Sequence, residues 1–133
     1  MRKFHLQIVT PDGKLFDGEA EGILVRTDGG DVEIMAGHSD YFATVATGRA
    51  KLTVDGKSRE AAASGGFISV KASEVMLVTT TFEFADEIDL ERARRAKTAA
   101  EKLLSEATDL KTVRIAKAKL ARALSRINVG EGN

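Results

Sequence analysis

Neither cysteine nor tryptophan occurs in the 133 residues, and proline occurs once. Without cysteine there is no disulfide and no thiolate metal site, so composition leaves the redox compartment unmarked. The only histidines are His5 and His38, so a histidine metal cluster is not expected either. Aromatic residues make up 5% of the chain, and its β half offers no basic-aromatic platform for stacking nucleic-acid bases. Net charge is missing too: twenty basic and twenty acidic residues cancel, so the chain as a whole exerts no pull on nucleic acid or anionic membrane. Any such attraction has to come from a local patch. No apolar run reaches the ~18 residues of a membrane span, and the opening MRKFHLQIVT alternates where a signal peptide would run apolar. A soluble intracellular chain, or one held at a membrane by a partner, is expected.

What is present divides into two halves by period. Up to about residue 84 the period is two, as in FHLQIV, where Phe4, Leu6 and Ile8 share one strand face. GILVRT, DVEIM, YFATVAT, AKLTV, FISV and VMLVTTTF follow as short runs rich in β-branched and aromatic residues. Breaks separate them: PDGK at 11–14, DGG at 28–30, AGHSD at 36–40, DGK at 55–57 and SGG at 64–66. Asp55-Gly56 predicts a two-residue hairpin, and the pattern as a whole predicts a sandwich or flattened barrel of antiparallel strands.

From about residue 87 the period becomes helical, and glycine and proline vanish until Gly130. Leu90, Ala93, Ala96, Ala100 and Leu103 form one stripe; Val113, Ala116, Leu120, Leu124 and Ile127 form another. Thr108 and Asp109 between them supply a helix stop and an N-cap. The fold class is therefore α+β, with an N-terminal antiparallel β-sandwich over residues 1–85 and a C-terminal antiparallel two-helix hairpin over 86–133. Alanines bury little area, so at ~25 cal/mol per Å2 the seam between the helices is marginal on its own. The hairpin reads as detachable.

The second helix carries Lys111, Arg114, Lys117, Lys119, Arg122 and Arg126, with no acid from 110 to 127. A solvated helix face is the plain explanation. Against it, like charges at these spacings each cost a few tenths of a kcal/mol, and interleaved glutamates would have relieved them. An anionic partner explains their absence: an acidic protein segment, a phosphate ligand, nucleic acid or lipid. The aromatic shortage argues against nucleic acid, and an apolar stripe without Phe or Trp argues against a lipid surface.

FEFADEIDLERARRAK, residues 82–97, opens the first helix. The helix dipole favours Asp86 and Glu87 there, and Asp89 and Arg92, one turn apart, can pair. Antiparallel packing brings Arg122 and Arg126 near residues 88–93, where Arg92, Arg94 and Arg95 crowd. Arginines beside carboxylates suit a phosphorylated ligand that also offers sugar and base groups. No nucleophile–base pair, phosphate-cradling glycine loop or metal cluster marks an enzyme; DGGD at 28–31 is a turn.

Over essentially its whole length the chain resembles the epsilon subunit of the bacterial F-type ATP synthase. The resemblance is carried by FHLQIVTPDGKLFDGEAE, the Gly37-His38 pair, SGGFISV at 64–70 and IDLERARRAK, in that order and spacing. It implies a sandwich of about ten strands, a two-helix C-terminal domain and a non-catalytic rotor subunit of the proton-translocating enzyme. Such a subunit sits peripherally at the cytoplasmic face of the bacterial plasma membrane, without direct membrane insertion. Its sandwich grips the gamma subunit and rests on the c-ring, which makes Asp31, Gly37, His38, Tyr41 and Phe42 the contact residues here. Its helices switch between a folded hairpin and an extended form that blocks ATP hydrolysis. In the extended form Lys111, Arg114, Lys117, Lys119, Arg122 and Arg126 would meet an acidic segment of the beta subunit in the alpha/beta head.

No cofactor is required, but ATP is implied as a regulatory ligand of the folded hairpin, held by Glu83, Ile88, Asp89, Arg92, Ala93, Arg122 and Arg126. Ala99 stands where ATP-binding members carry a basic residue, and Arg95, a turn earlier, is the nearest substitute. In the loop before His38, Glu33 and Ala36 replace a glycine and a proline, and Tyr41-Phe42 replace an aliphatic pair. The alternative function is a stand-alone ATP-sensing domain that reports to another target.

Overall fold

The computed structural model describes residues 2–132, so the first and last residues of the two expected segments lie outside it. Among the described residues there are eight strands: β1 (Phe4–Thr10), β2 (Gly13–Ala20), β3 (Gly22–Thr27), β4 (Gly30–Ile34), β5 (Tyr41–Thr44), β6 (Gly48–Val54), β7 (Lys57–Lys71) and β8 (Glu74–Phe84). A 3-10 turn, Ala85–Glu87, leads into α1 (Leu90–Glu106) and α2 (Leu110–Gly130). Strand order is β2-β1-β8-β7-β6-β3-β4, with β5 on β7. Alternate residues of these strands, among them Leu6, Ile8, Ile23, Val25, Ile34, Ile68 and Leu77, bury a single core. Pairing is antiparallel except between β1 and β8, where the first strand lies parallel to the last.

Two long strands lower the count from about ten to eight. β7 runs for 15 residues, pairing through 57–63 with β6 and through 67–70 with β5, while β8 follows it along its length. The predicted break at 64–66 is therefore a bend inside a strand. Gly65 and Gly66 have φ of +73° and +110°, and a Cβ at Gly66 would stand 1.8 Å from the Val78 carbonyl oxygen. Glycine here lets two strands cross closely without losing register. Asp55-Gly56 is the expected hairpin turn, with φ positive at both residues. Ala72 and Ser73 make the β7–β8 turn in the same left-handed region without glycine; the Ala72 N–H donates to Asp40 Oδ1 at 3.1 Å.

Asp109 caps α2 as predicted, accepting the Thr112 N–H at 3.0 Å. Asp89 caps α1 by accepting the Arg92 backbone N–H at 3.0 Å, and this replaces the expected side-chain pair. The helix seam is built on Ala93, Ala100, Ala116 and Ala123. Two stripe positions differ from expectation: Ala96 is exposed, and Leu124 is 40% exposed. The reason is that α2 serves two neighbours, α1 on one side and β7 and β6 on the other, which turns the hairpin contact onto Ala123 and leaves Leu124 beside Arg26, Thr47 and Gly48.

Small and hydroxyl-bearing residues line the gap between α2 and the sandwich. Among them are Ala62, Ser64, Thr81 and Ser125, with the Ser64 and Thr81 hydroxyls 2.6 Å apart. Arg126 pairs with Glu83 at 3.1 Å across it, and Arg94 pairs with Glu131 at 2.7 Å to tie α1 to the end of α2. Among the described residues no helix is long and apolar enough to cross a membrane.

Candidate functional site

β8 alternates toward its end: Phe82 and Phe84 turn inward, their rings edge to face at 5.2 Å, and Glu83 turns out toward α2. The Arg59 guanidinium lies 3.7 Å over the Phe84 ring and pairs with Asp86 at 3.1 Å, which fixes the turn that starts the helices. From that start Asp89, Arg92, Ala93 and Ala96 fall on one side of α1. With Glu83 and Arg126 they enclose a cleft of about 200 Å3. A second cleft, about 470 Å3, continues along the hairpin between Ala96, Ala99, Ala100 and Leu103 of α1 and Lys119, Arg122 and Arg126 of α2.

The two clefts differ in electrostatics. The first holds both carboxylates, Glu83 bonded to Arg126 Nε and Asp89 engaged at the helix cap. The second has three cations and no carboxylate in its lining. Arg92, Lys119 and Arg122 form no ion pair among the described residues. A ligand lying across both would meet hydrogen-bond acceptors at one end and unneutralised cations at the other.

Of the seven residues assigned to ATP, Glu83, Asp89, Arg92, Ala93 and Arg126 share the first cleft and Arg122 lines the second. Ile88 packs against Gly130 at the end of α2 and lines neither. Arg95, considered as a substitute for the cation absent at Ala99, is paired with Glu91 at 3.1 Å and also lines neither cleft. Lys119 lines the second cleft together with Ala99. The sequence left the basic face of α2, Lys119 included, open to a phosphate ligand or an acidic protein segment, and the resemblance gave Lys119 to the beta subunit. Its spacing of three and seven from Arg122 and Arg126 was the signal for the cleft. Lys111, Arg114 and Lys117 are exposed and form no ion pair among the described residues.

In and after the loop that follows β4, His38 and Tyr41 come together beside Gly37, while Phe42 lies on the opposite face of β5. His38 carries its ring proton on Nδ1, donating to the Ser39 carbonyl at 2.7 Å, and meets Tyr41 edge to face at 5.5 Å. Gly37 has φ +84° and lies under the Arg2 guanidinium. Phe42 is 66% exposed and stacks on Phe67 at 5.3 Å; Ser69 and then the exposed Met76 stand beyond it in register. Asp31 belongs to a different group, pairing with Arg26 at 2.7 Å and reaching Arg49 at 4.0 Å. Glu33 faces Lys51 at 3.7 Å, and Ala36 packs against the core.

A clasp the sequence did not disclose joins three strands at the sandwich edge. His5 on β1 contacts Asp17 of β2 through Nε2 and Glu74 of β8 through Nδ1, each at 2.6 Å. The hydrogen bond to Glu74, then that to Asp17, raises the imidazole above its ordinary pKa. His5, then Lys14, holds the Asp17 carboxyl below its own.

Residues 3–85 match the family model described as ATP synthase, Delta/Epsilon chain, beta-sandwich domain, and residues 86–131 match the corresponding long alpha-helix domain. The chain is 38% identical to the ATP synthase epsilon chain of Ruminococcus albus over 97% of both chains. It is 38% identical to that of Bacillus velezensis over 97% of this chain and 98% of the relative. The fold is also that of a chain in the Euglena gracilis mitochondrial ATP synthase OSCP/F1/c-ring assembly, with a TM-score of 0.81 at 23% identity, covering 92% of this chain and 78% of that one.

Proposed function

Because the chain belongs to the ATP synthase delta/epsilon family and is an epsilon chain by its relatives, we propose that it is the non-catalytic rotor subunit of the central stalk and that its helical hairpin restrains ATP hydrolysis under the control of ATP. The observation that carries the second part is the convergence of Glu83, Asp89, Arg92 and Arg126 from β8, α1 and α2 on one cleft. A nucleotide there bridges all three elements and favours the docked hairpin. The Glu83 and Asp89 end suits the donors of a ribose and base; Arg92, Arg122 and Arg126 suit the phosphates.

ATP at ten times its dissociation constant stabilises the docked form by about 1.4 kcal/mol, roughly a tenfold shift in population. A helix held by small and hydroxyl-bearing residues is within reach of so modest a bias. When the hairpin opens, Lys111, Arg114, Lys117, Lys119, Arg122 and Arg126 become available to an acidic segment of the beta subunit. The region around His38, Tyr41 and Phe42 is the surface offered to gamma and the c-ring, with the complex at the cytoplasmic face of the bacterial plasma membrane.

Two experiments test this. Calorimetric titration of the chain with ATP should give binding that Arg92→Ala and Arg126→Ala weaken at least tenfold, and binding that ignores both substitutions overturns the site. Removing residues 87–133 should leave a subunit that co-purifies with gamma and the c-ring in an enzyme whose hydrolysis is no longer restrained. Equal restraint after the deletion overturns the regulatory role.

A further inference from the structure

We propose that Lys119 is a phosphate-binding residue of the hairpin cleft and that it makes the site discriminate by phosphate number. The inference rests on the nucleotide reading above and assigns a residue that reading does not contain. The carboxylates stand at the sandwich end, in the smaller cleft with Glu83 and Asp89. Beyond Arg126 the larger cleft has no carboxylate in its lining, and its cations come from α2 alone: Arg126, then Arg122, then Lys119.

On a helix those positions share one face and are spread over ~10 Å at 1.5 Å per residue. Successive phosphates leaving the sandwich end therefore meet successive cations, with Lys119 last. The facing wall is made of Ala96, Ala99 and Ala100, whose small side chains leave the lysine stem free to lie along it and its ammonium to reach the cleft. α1 offers nothing equivalent to this cleft, since Arg95 is held by Glu91. Lys119 itself forms no ion pair among the described residues, so a phosphate does not have to displace a partner. As a compact point charge at the end of the cation row it acts on the outermost phosphate.

The test is calorimetry on the full chain with ATP and with ADP, using Lys119→Gln, Lys119→Arg, Lys111→Gln and Arg126→Ala. Lys119 is exposed, so its replacement leaves packing intact. The expected result is that Lys119→Gln weakens ATP about tenfold, the worth of one charge-assisted contact, and weakens ADP much less. Lys119→Arg should restore ATP binding, and Lys111→Gln, the same charge change away from the cleft, should leave it as it was. Unchanged ATP affinity in Lys119→Gln, equal losses for ATP and ADP, or an equal loss in Lys111→Gln would overturn the assignment. If Arg126→Ala still weakens binding at least tenfold in that case, the nucleotide site stands and only Lys119 falls; if the unaltered chain binds neither nucleotide, or Arg126→Ala leaves its binding unchanged, both fall.

Discussion

The Arg126 guanidinium on α2 reaches the Glu83 carboxylate on β8, 43 residues earlier in the chain, with Nε 3.1 Å from Oε1. That contact helps hold the hairpin to the sandwich, and its arginine also forms part of the cleft wall. About a third of each partner is exposed, which limits the pair to roughly 0.5–1 kcal/mol. Glu83→Gln is expected to lower docking by that amount while leaving the β core melting unchanged, read by amide exchange in α2 against the strands. A loss of core stability of the same size would mean that the pair serves the sandwich instead.

Gly130 lets the end of α2 approach the start of α1. A Cβ there would lie 2.7 Å from Leu90 Cδ2 and 3.1 Å from Ile88 Cγ2. Gly130→Val should therefore force the two ends apart at a cost of about 1–3 kcal/mol. Faster exchange of the amides of residues 90–94 and weaker ATP binding are the expected readouts.

His5 gives the sandwich edge a pH dependence. Its folded pKa is raised above 6.5, so its contribution is complete below that value and is lost as pH rises through the folded pKa. Asp17 is lowered from 3.8, so its contribution is present above that value and is lost as pH falls through the depressed one. The clasp is therefore strongest between the carboxylate range and the raised imidazole value. Above it a neutral ring has one N–H and can keep only one of the two bonds. The charged groups facing His5 are Asp17 and Glu74, Glu19 opposite it in register and Lys14 on Asp17. An NMR titration should place His5 above 6.5, and Asp17→Asn should move it down. His5→Gln should flatten the loss of stability on the alkaline side.

The β7–β8 turn carries strain that glycine would relieve. Ala72 and Ser73 have φ of +51° and +68°, where an L-residue costs roughly 1–2 kcal/mol. Ala72→Gly should raise stability by up to about 1 kcal/mol after the added entropy of the unfolded chain is subtracted. Denaturant titration with an unchanged slope checks it.

What the sequence disclosed was local. Asp55-Gly56 and the cap at Asp109 are fixed by the chemistry of a few adjacent residues, and periodicity separated strands from helices. Contacts between distant segments were less visible. Ser64-Gly65-Gly66 looked like a break because nothing nearby reveals that β8 crosses against it. Leu124 was misplaced because a single-stripe reading does not foresee a helix with two neighbours, and Ala96 because it lines the clefts beside the seam. The arginines of the cleft were found through a motif, whereas Lys119 and the His5 clasp depend on which strands and helices lie side by side.

The proposed regulation requires that α2 be held weakly and that ATP tighten it. Amide exchange on the isolated chain tests this directly, comparing Ala116 and Ala123 on α2 with Leu6 and Ile68 in the β core. Without nucleotide, α2 should exchange far faster than the core, and it should slow about tenfold when ATP is raised to ten times its dissociation constant. An α2 as protected as the core, and unmoved by ATP, would contradict it.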